Sequence, residues 1–381
     1  MTSKILENDE LDAFRRTVRN FLETEVMPYR EKWEQQQHVD RSVWRKAGEL
    51  GLICASVPAE YGGIGGTFAH EAVIVEEQAR AGDSAFGVIM GSPMALPPLV
   101  NYGSEAQKRR YFPEIAAGEA IVAFALTEPG AGSDAKAIQM TAKRDGDHYL
   151  LNGQKTFISN GYNADLATVV ARTGPAEMGP AGISAFFVDL RGLEGYSVGR
   201  ILKKIGQKGQ DTAELFFDNC RVPADTLLGG VEGKGFGQII SSLQAERTIL
   251  GLYGVAYAER ALELTLEHVK TREAFGQTLF DLQNTRFKLA ECATKVRIGR
   301  LFIDDCIQKV IDGTMDGATA AMAKYWCTDL QGEIIDTCLQ FFGGYGYITE
   351  YPIARMFADA RIQRIYGGAN EIQKEVIARS L

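Results

Sequence analysis

Leu11, Phe14, Val18, Phe21, Leu22 and Val26 recur at three- and four-residue steps. That period puts them on one face of a helix and predicts a one-sided helix near the N-terminus. Asp40 is placed to cap a second, carrying Val43, Trp44, Ala47 and Leu50. Stretches 71–81 and 105–117 continue the helical pattern. The run Glu60-Tyr61-Gly62-Gly63-Ile64-Gly65-Gly66 reads as loop.

Between about 122 and 230 the period changes. Asp145-Gly146 and Asn152-Gly153 are turn dipeptides, set among short β-rich runs at 167–172, 183–190 and 213–217. Strands at this spacing predict a β-barrel or sandwich. From 236 the helical period returns, over 236–270, 281–312, 317–342 and about 370–379, and predicts a four-helix bundle. The expected fold is α+β: an N-terminal helical domain (1–121), a middle β-barrel domain (122–232) and a C-terminal four-helix bundle (233–381). Without β-α-β alternation, and with no G-x-G-x-x-G after a strand, a nicotinamide fold is not expected.

Composition narrows the function classes. The 381 residues carry a net charge of −8, which supplies no basic footprint for nucleic acid. No run approaches a membrane span of about 20 apolar residues. The N-terminal segment has neither an apolar core nor an Arg-rich presequence pattern, so the expected location is cytoplasmic, or the mitochondrial matrix for a processed chain. The six cysteines form no C-x-x-C pair and read as free buried thiols. The four histidines lack metal-binding spacing.

Four places carry candidate chemistry. In Ala125-Leu126-Thr127-Glu128-Pro129-Gly130-Ala131-Gly132-Ser133-Asp134, Gly130 and Gly132 admit a ligand close to backbone N–H groups, although a plain connecting loop has the same composition. Gln340-Phe341-Phe342-Gly343-Gly344-Tyr345-Gly346 has more glycines than a helix cap needs; a flat ligand or a tight helix corner accounts for them equally. Arg272 could hold a phosphate or end as a solvated helix terminus. Glu246 falls within the stripe traced by Phe236, Ile239, Ile240, Leu243, Leu250 and Val255. A buried acid needs a partner or a raised pKa, so Glu246 is either a general base or half of a structural ion pair. Near the C-terminus, Arg364-Ile365-Tyr366-Gly367-Gly368-Ala369-Asn370-Glu371 has glycine where an acid might stand.

Together these motifs resemble the acyl-CoA dehydrogenase family over essentially the whole chain. Lys155-Thr156-Phe157-Ile158-Ser159-Asn160-Gly161, Arg221-Val222-Pro223, Thr271-Arg272-Glu273-Ala274-Phe275-Gly276 and the spacing of Glu350, Arg355 and Asp359 agree with it. The likeness is greatest to its long-chain branch, through Met322-Ala323-Lys324-Tyr325-Trp326 and Glu350-Tyr351-Pro352-Ile353-Ala354. One departure is Gly237, where the pattern has a tyrosine near the thioester.

The resemblance implies FAD held between the β-domain and the bundle. It assigns Phe124, Leu126, Thr127, Gly132, Ser133, Phe157, Ile158 and Ser159 to the flavin region, with Ser133 also near substrate. It assigns Arg272, Phe275, Gln283, Gln340, Gly343 and Gly344 to the pyrophosphate and adenosine, largely across a subunit contact, and Ala369, Asn370 and Glu371 to further cofactor positions. Gln244, Arg247, Gly367 and Gly368 fall to the substrate. Most members carry the catalytic glutamate directly after the loop tyrosine, here Gly367; a minority carry it on the bundle helix, here Glu246. The implied reaction is α,β-dehydrogenation of a medium- to long-chain acyl-CoA to the trans-2-enoyl-CoA. Glu246 takes the α-proton, and an electron-transfer flavoprotein accepts the electrons. The implied assembly is a homotetramer, a dimer of dimers. An acyl-CoA oxidase, a branched-chain dehydrogenase and a flavin-free scaffold are the alternatives.

Overall fold

The computed structural model describes residues 3–381. Six helices build the N-terminal part: α1 (Asp9–Phe21), α2 (Arg30–Gln36), α3 (Arg41–Glu49), α4 (Phe68–Ala81), α5 (Pro97–Tyr102) and α6 (Glu105–Ala116). Asn8 caps α1 by accepting from the Leu11 N–H at 2.9 Å, and Leu11, Val18 and Phe21 turn inward as their spacing predicts. Asp40 sits at the N-cap of α3 but does not cap it. Its carboxylate accepts instead from Lys32, Trp33 and Gln36, and those bonds hold its pKa down at about 2 against the opposing effect of burial. Leu50, expected on the buried stripe, is largely exposed because α3 ends before it.

The middle part is a mixed sheet of β1 (Val122–Ala125), β2 (Thr141–Asp145), β3 (His148–Ser159), β4 (Leu166–Arg172), β5 (Ile183–Asp189), β6 (Tyr196–Ile201) and β7 (Thr212–Pro223). Strand order is β1-β4-β2-β3-β7-β6, with β5 pairing β4, and the sheet curls around its own apolar core. Asp145-Gly146 turns between β2 and β3 as expected. Asn152-Gly153 does not turn: it lies inside β3, where the register against β7 shifts between Leu151 and Gly153. Gly153 has φ +147°, and a Cβ there would approach Met140 Cα to 2.8 Å, so the glycine serves a bulge.

The C-terminal part is α7 (Gly235–Thr271), a short hairpin of β8 (Glu273–Ala274) and β9 (Gln277–Thr278), then α8 (Gln283–Ile311), α9 (Gly317–Phe341), α10 (Pro352–Ala360) and α11 (Asn370–Ala378). Helix α7 is not the one-sided helix its N-terminal stripe implied. Ile240 is half exposed, whereas every residue from Glu246 through Glu259 is buried. A helix buried all round is the centre of its bundle. All six cysteines are free and buried.

A buried ionic network ties the two helical parts together. Arg300 of α8 reaches Glu76 of α4 at 3.0 Å and Glu259 of α7 at 2.7 Å. Arg15 of α1 reaches Glu76 at 2.6 Å and Glu77 at 2.8 Å. Among the described residues, no helix is long and apolar enough to cross a membrane.

Candidate active site

Glu246 lies where α7 passes from partly exposed to fully buried. It is 8 % exposed, and no group within the chain hydrogen-bonds its carboxylate among the described residues. Burial pushes its pKa up to about 7, opposed by the charges of Arg247 and Lys324. Arg247 is buried as well, with its Nε unpartnered among the described residues.

The loop before α11 faces Glu246. Gly367 has φ +62°, and a Cβ there would stand 2.4 Å from Leu250 Cδ1 and 3.5 Å from Glu246 Oε1. A Cβ at 367 would thus collide with Leu250 and stand in ordinary van der Waals contact with the Glu246 carboxylate, which makes 246 and 367 direct neighbours.

That loop is tied down from below. Gln373 Nε2 donates to the carbonyls of Gly367 and Gly368 at 3.2 and 3.1 Å. Lys324 Nζ, on α9, donates to Gly368 O and to Asn370 Oδ1, both at 2.8 Å. Asn370 Nδ2 donates to Tyr325 O, Thr328 Oγ1 and Asp329 Oδ1. Asn370 is thus buried beneath the loop as its anchor, with its amide already engaged, while Glu371 is exposed.

The first glycine motif leaves β1 and doubles back through a bridge between Glu128 and Ala131. Beneath it Lys155, wholly buried, donates to Glu128 Oε1 at 2.7 Å and to Leu126 O at 2.9 Å. Glu128 also accepts from the Gln139 and Met140 N–H groups. Burial depresses Lys155 to a pKa of about 8 against the pull of Glu128. Above this support Gly132 and Ser133 are exposed and Thr127 half-buried. Phe124 and Leu126 pack with Phe236 and Ile239 at the start of α7, which joins this loop to the helix bearing Glu246.

Beside the loop, β3 is bulged between Lys155 and Ile158. Phe157 has φ +58° and is 66 % exposed, an aromatic held out of the sheet by a backbone conformation that bulky residues avoid. Ile158 turns into the sheet core, so only its backbone faces the cradle; Ser159 is half-buried.

The remaining predicted residues collect elsewhere. Arg272, Gly343 and Gly344 line a cavity of about 400 Å³ with His268, Phe342 and Tyr345. Gly343 and Gly344 have open space where a Cβ would stand, whereas a Cβ on Gly346 would meet Leu339 O at 2.7 Å. Ligand space and helix corner thus divide the glycines between them. Gln283 and Gln340 are exposed at the ends of α8 and α9. Phe275 is 92 % exposed at the hairpin tip with φ +58°. Along α7, Glu246 and Arg272 are about 39 Å apart at 1.5 Å per residue. A single cofactor does not span that distance, so the two groups serve different cofactor copies if each serves one.

The residues fit a flavin dinucleotide. A Cβ at Gly130 or Gly132 would meet nothing, which leaves backbone open to a ligand; Phe157 offers an aromatic face beside it; and Arg272 stands at a separate open cavity. Sequence reasoning left out Glu128, Lys155, Gln373 and Lys324 as site supports. Two of these are buried lysines, and nothing local distinguishes a buried lysine from a solvated one.

Three family models match the chain: "Acyl-CoA dehydrogenase, N-terminal domain" over 8–119, the "middle domain" over 123–220 and the "C-terminal domain" over 233–381. The chain is 44 % identical to the mitochondrial long-chain specific acyl-CoA dehydrogenase of Sus scrofa, over 98 % of this chain and 87 % of that one. Among solved structures it is similar to an acyl-CoA dehydrogenase from Geobacillus kaustophilus, with TM-score 0.96, 42 % identity and coverage of 100 % and 99 % of the two chains. A structure described as electron transferring flavoprotein of Acidaminococcus fermentans matches with TM-score 0.93 and 35 % identity over 98 % of each chain. A glutaryl-CoA dehydrogenase from Mycobacterium smegmatis in complex with FADH2 matches with TM-score 0.91 and 28 % identity, over 98 % of this chain and 95 % of that one.

Proposed function

This chain belongs to the acyl-CoA dehydrogenase family, and from that premise we propose that Glu246 is its catalytic base in the dehydrogenation of a medium- to long-chain acyl-CoA. The family is FAD-dependent and the chain is an oxidoreductase of acyl-CoA thioesters. The observation that carries the assignment of the base is the buried Glu246 carboxylate lying 3.5 Å from where a Cβ on Gly367 would stand.

The mechanism follows from what the residues can do. The α-hydrogen of a thioester is weakly acidic, so its carbonyl must be polarised while the base stays desolvated. The Gly367 N–H, on a loop pinned by Gln373 and Lys324, donates to the carbonyl. Glu246 takes the α-proton, and the C–H electron pair forms the α,β double bond. FAD, when bound, supplies the acceptor for the hydride that leaves the β-carbon. Gln244, Arg247 and Gly368 flank the thioester, and Ser133 serves substrate and cofactor together. Burial of Glu246 makes it a stronger base than an exposed carboxylate, and its pKa of about 7 leaves it ionised in part at neutral pH.

In this reading Phe124, Leu126, Thr127, Gly132, Phe157, Ile158, Ser159, Ala369 and Glu371 surround the flavin end, with Asn370 beneath. Arg272, Phe275, Gln283, Gln340, Gly343 and Gly344 receive the adenosine end of a neighbouring subunit's cofactor. The separation of about 39 Å along α7 supports that division, and a homotetramer built as a dimer of dimers is part of the same reading. We take 121/122 and 232/233 as domain boundaries, a cytoplasmic or matrix location, and an electron-transfer flavoprotein as acceptor. The likeness to the long-chain enzyme supports the chain-length preference, and the match to the Acidaminococcus fermentans structure supports the acceptor.

The test is anaerobic bleaching of the flavin by straight-chain thioesters from butyryl- to stearoyl-CoA and by branched ones. It is followed by turnover with electron-transfer flavoprotein or with oxygen. Fastest bleaching by medium to long straight chains and no peroxide release are expected. Preference for isobutyryl-CoA or isovaleryl-CoA, or peroxide release at the turnover rate, overturns the finer reading.

A further inference from the structure

Lys324 is a wholly buried cation on the bundle helix α9. Such a charge costs several kcal/mol to desolvate unless it is compensated. Among the described residues no carboxylate forms an ion pair with it; Nζ donates to two neutral oxygens, Gly368 O and Asn370 Oδ1, each at 2.8 Å. A merely structural tie between helix and loop has no need of a charge, because an amide side chain donates as well. The surroundings show where a charge is useful. Burial lowers its pKa to about 8, and the charges that act on it are Asp329 on its own helix, Arg247 on α7, Glu371 on α11 and Glu246 on α7. Around Glu246 itself the charged and titratable groups are Arg247, Lys324 and Tyr366.

We propose that Lys324 is a positioning residue for the dehydrogenation: it fixes the Gly367–Gly368 turn that presents the carbonyl-binding N–H, and it brings a positive charge to the turn beside Glu246. The inference rests on the reading of Glu246 as the base and of the Gly367 N–H as the carbonyl donor. Two consequences separate this role from simple support. Holding the turn acts on bond-making, so its loss lowers kcat more than it raises KM. Holding the charge acts on the base: without the cation the Glu246 carboxylate binds its proton more tightly, and the acid limb of kcat/KM moves to higher pH.

The experiment uses the full-length, flavin-loaded enzyme and the variants K324M, K324R and E246Q. Flavin content and Tm report folding. Measured are kcat and KM, the pH dependence of kcat/KM, and the wash-out of α-deuterium from a labelled acyl-CoA, which reads proton removal apart from turnover. For K324M the expected results are a kcat about 10- to 100-fold lower, KM within about 3-fold and wash-out slowed in step. Its acid limb is expected about 1 pH unit higher. K324R keeps the charge but not the Nζ geometry, so its limb stays while kcat falls. K324M with an unmoved limb and near-normal kcat overturns the proposal. Should K324M lose its flavin, K324R decides: a reduced kcat with an unmoved limb supports the proposal, and normal kcat or a moved limb overturns it. E246Q keeps the two failures apart. If E246Q still turns over, the assignment of the base has failed; if E246Q is inert and the Lys324 variants behave as wild type, only the role of Lys324 has failed.

Discussion

At the scale of single residues, the central fact is that the Glu246 carboxylate lies within contact distance of position 367, which is glycine and packs against Leu250. The variant G367E therefore does not supply a second base. Its Cβ collides with Leu250, its backbone is held at φ +62°, and two acids would crowd a desolvated pocket. We expect it to lose about 1–3 kcal/mol of stability, read by thermal or denaturant unfolding, and most of its kcat. Glu246 also sets the pH dependence. Its pKa lies above the usual carboxylate value, at about 7, and only the ionised form accepts a proton. The pH profile of kcat/KM should thus rise through about pH 7, instead of standing flat from pH 5 as with an ordinary glutamate. The acid and the glycine could both be read from sequence. Their adjacency could not, because 121 residues separate them and only the packed loop brings them together.

At the scale of elements, the supports of the flavin loop were hidden. Lys155 belongs to a recognisable motif, yet its partner Glu128 lies in a different one, and the pairing of β3 against the β1 exit joins them. Removing the lysine leaves a buried carboxylate whose remaining partners are two backbone N–H groups. K155M should lose flavin on dilution far more readily than wild type, at a stability cost of up to about 3–5 kcal/mol. Fluorescence of released flavin measures the first effect and denaturant unfolding the second. Strand β3 taught the opposite lesson about turn signals. Asp145-Gly146 turns, while Asn152-Gly153 bulges, since a dipeptide that permits positive φ does not say whether the chain reverses there or only kinks. The period showed α7 to be a helix, but its N-terminal stripe did not show that the helix is buried on every side from Glu246 through Glu259.

At the scale of the whole molecule, the two helical parts are joined by buried chemistry that no local pattern announces. Arg300 alone links α8 to Glu76 on α4 and Glu259 on α7. The variant R300M removes the partner that Glu76 and Glu259 share, leaving Glu76 to Arg15 and Glu259 to Arg80, and should lose up to about 3–5 kcal/mol of stability, read as a lower denaturation midpoint, with kcat of the surviving holoenzyme little changed. The order of helical, β and helical segments could be read from period alone, but not the position of α7 at the centre of the bundle. The dehydrogenation depends on the carboxylate at that centre. The most direct measurement is anaerobic mixing of flavin-loaded E246Q with a long-chain acyl-CoA while the flavin's visible absorbance is followed. E246Q is expected to stay yellow while wild type bleaches; bleaching of E246Q at the wild-type rate would contradict Glu246 as the base and turn attention to Glu371.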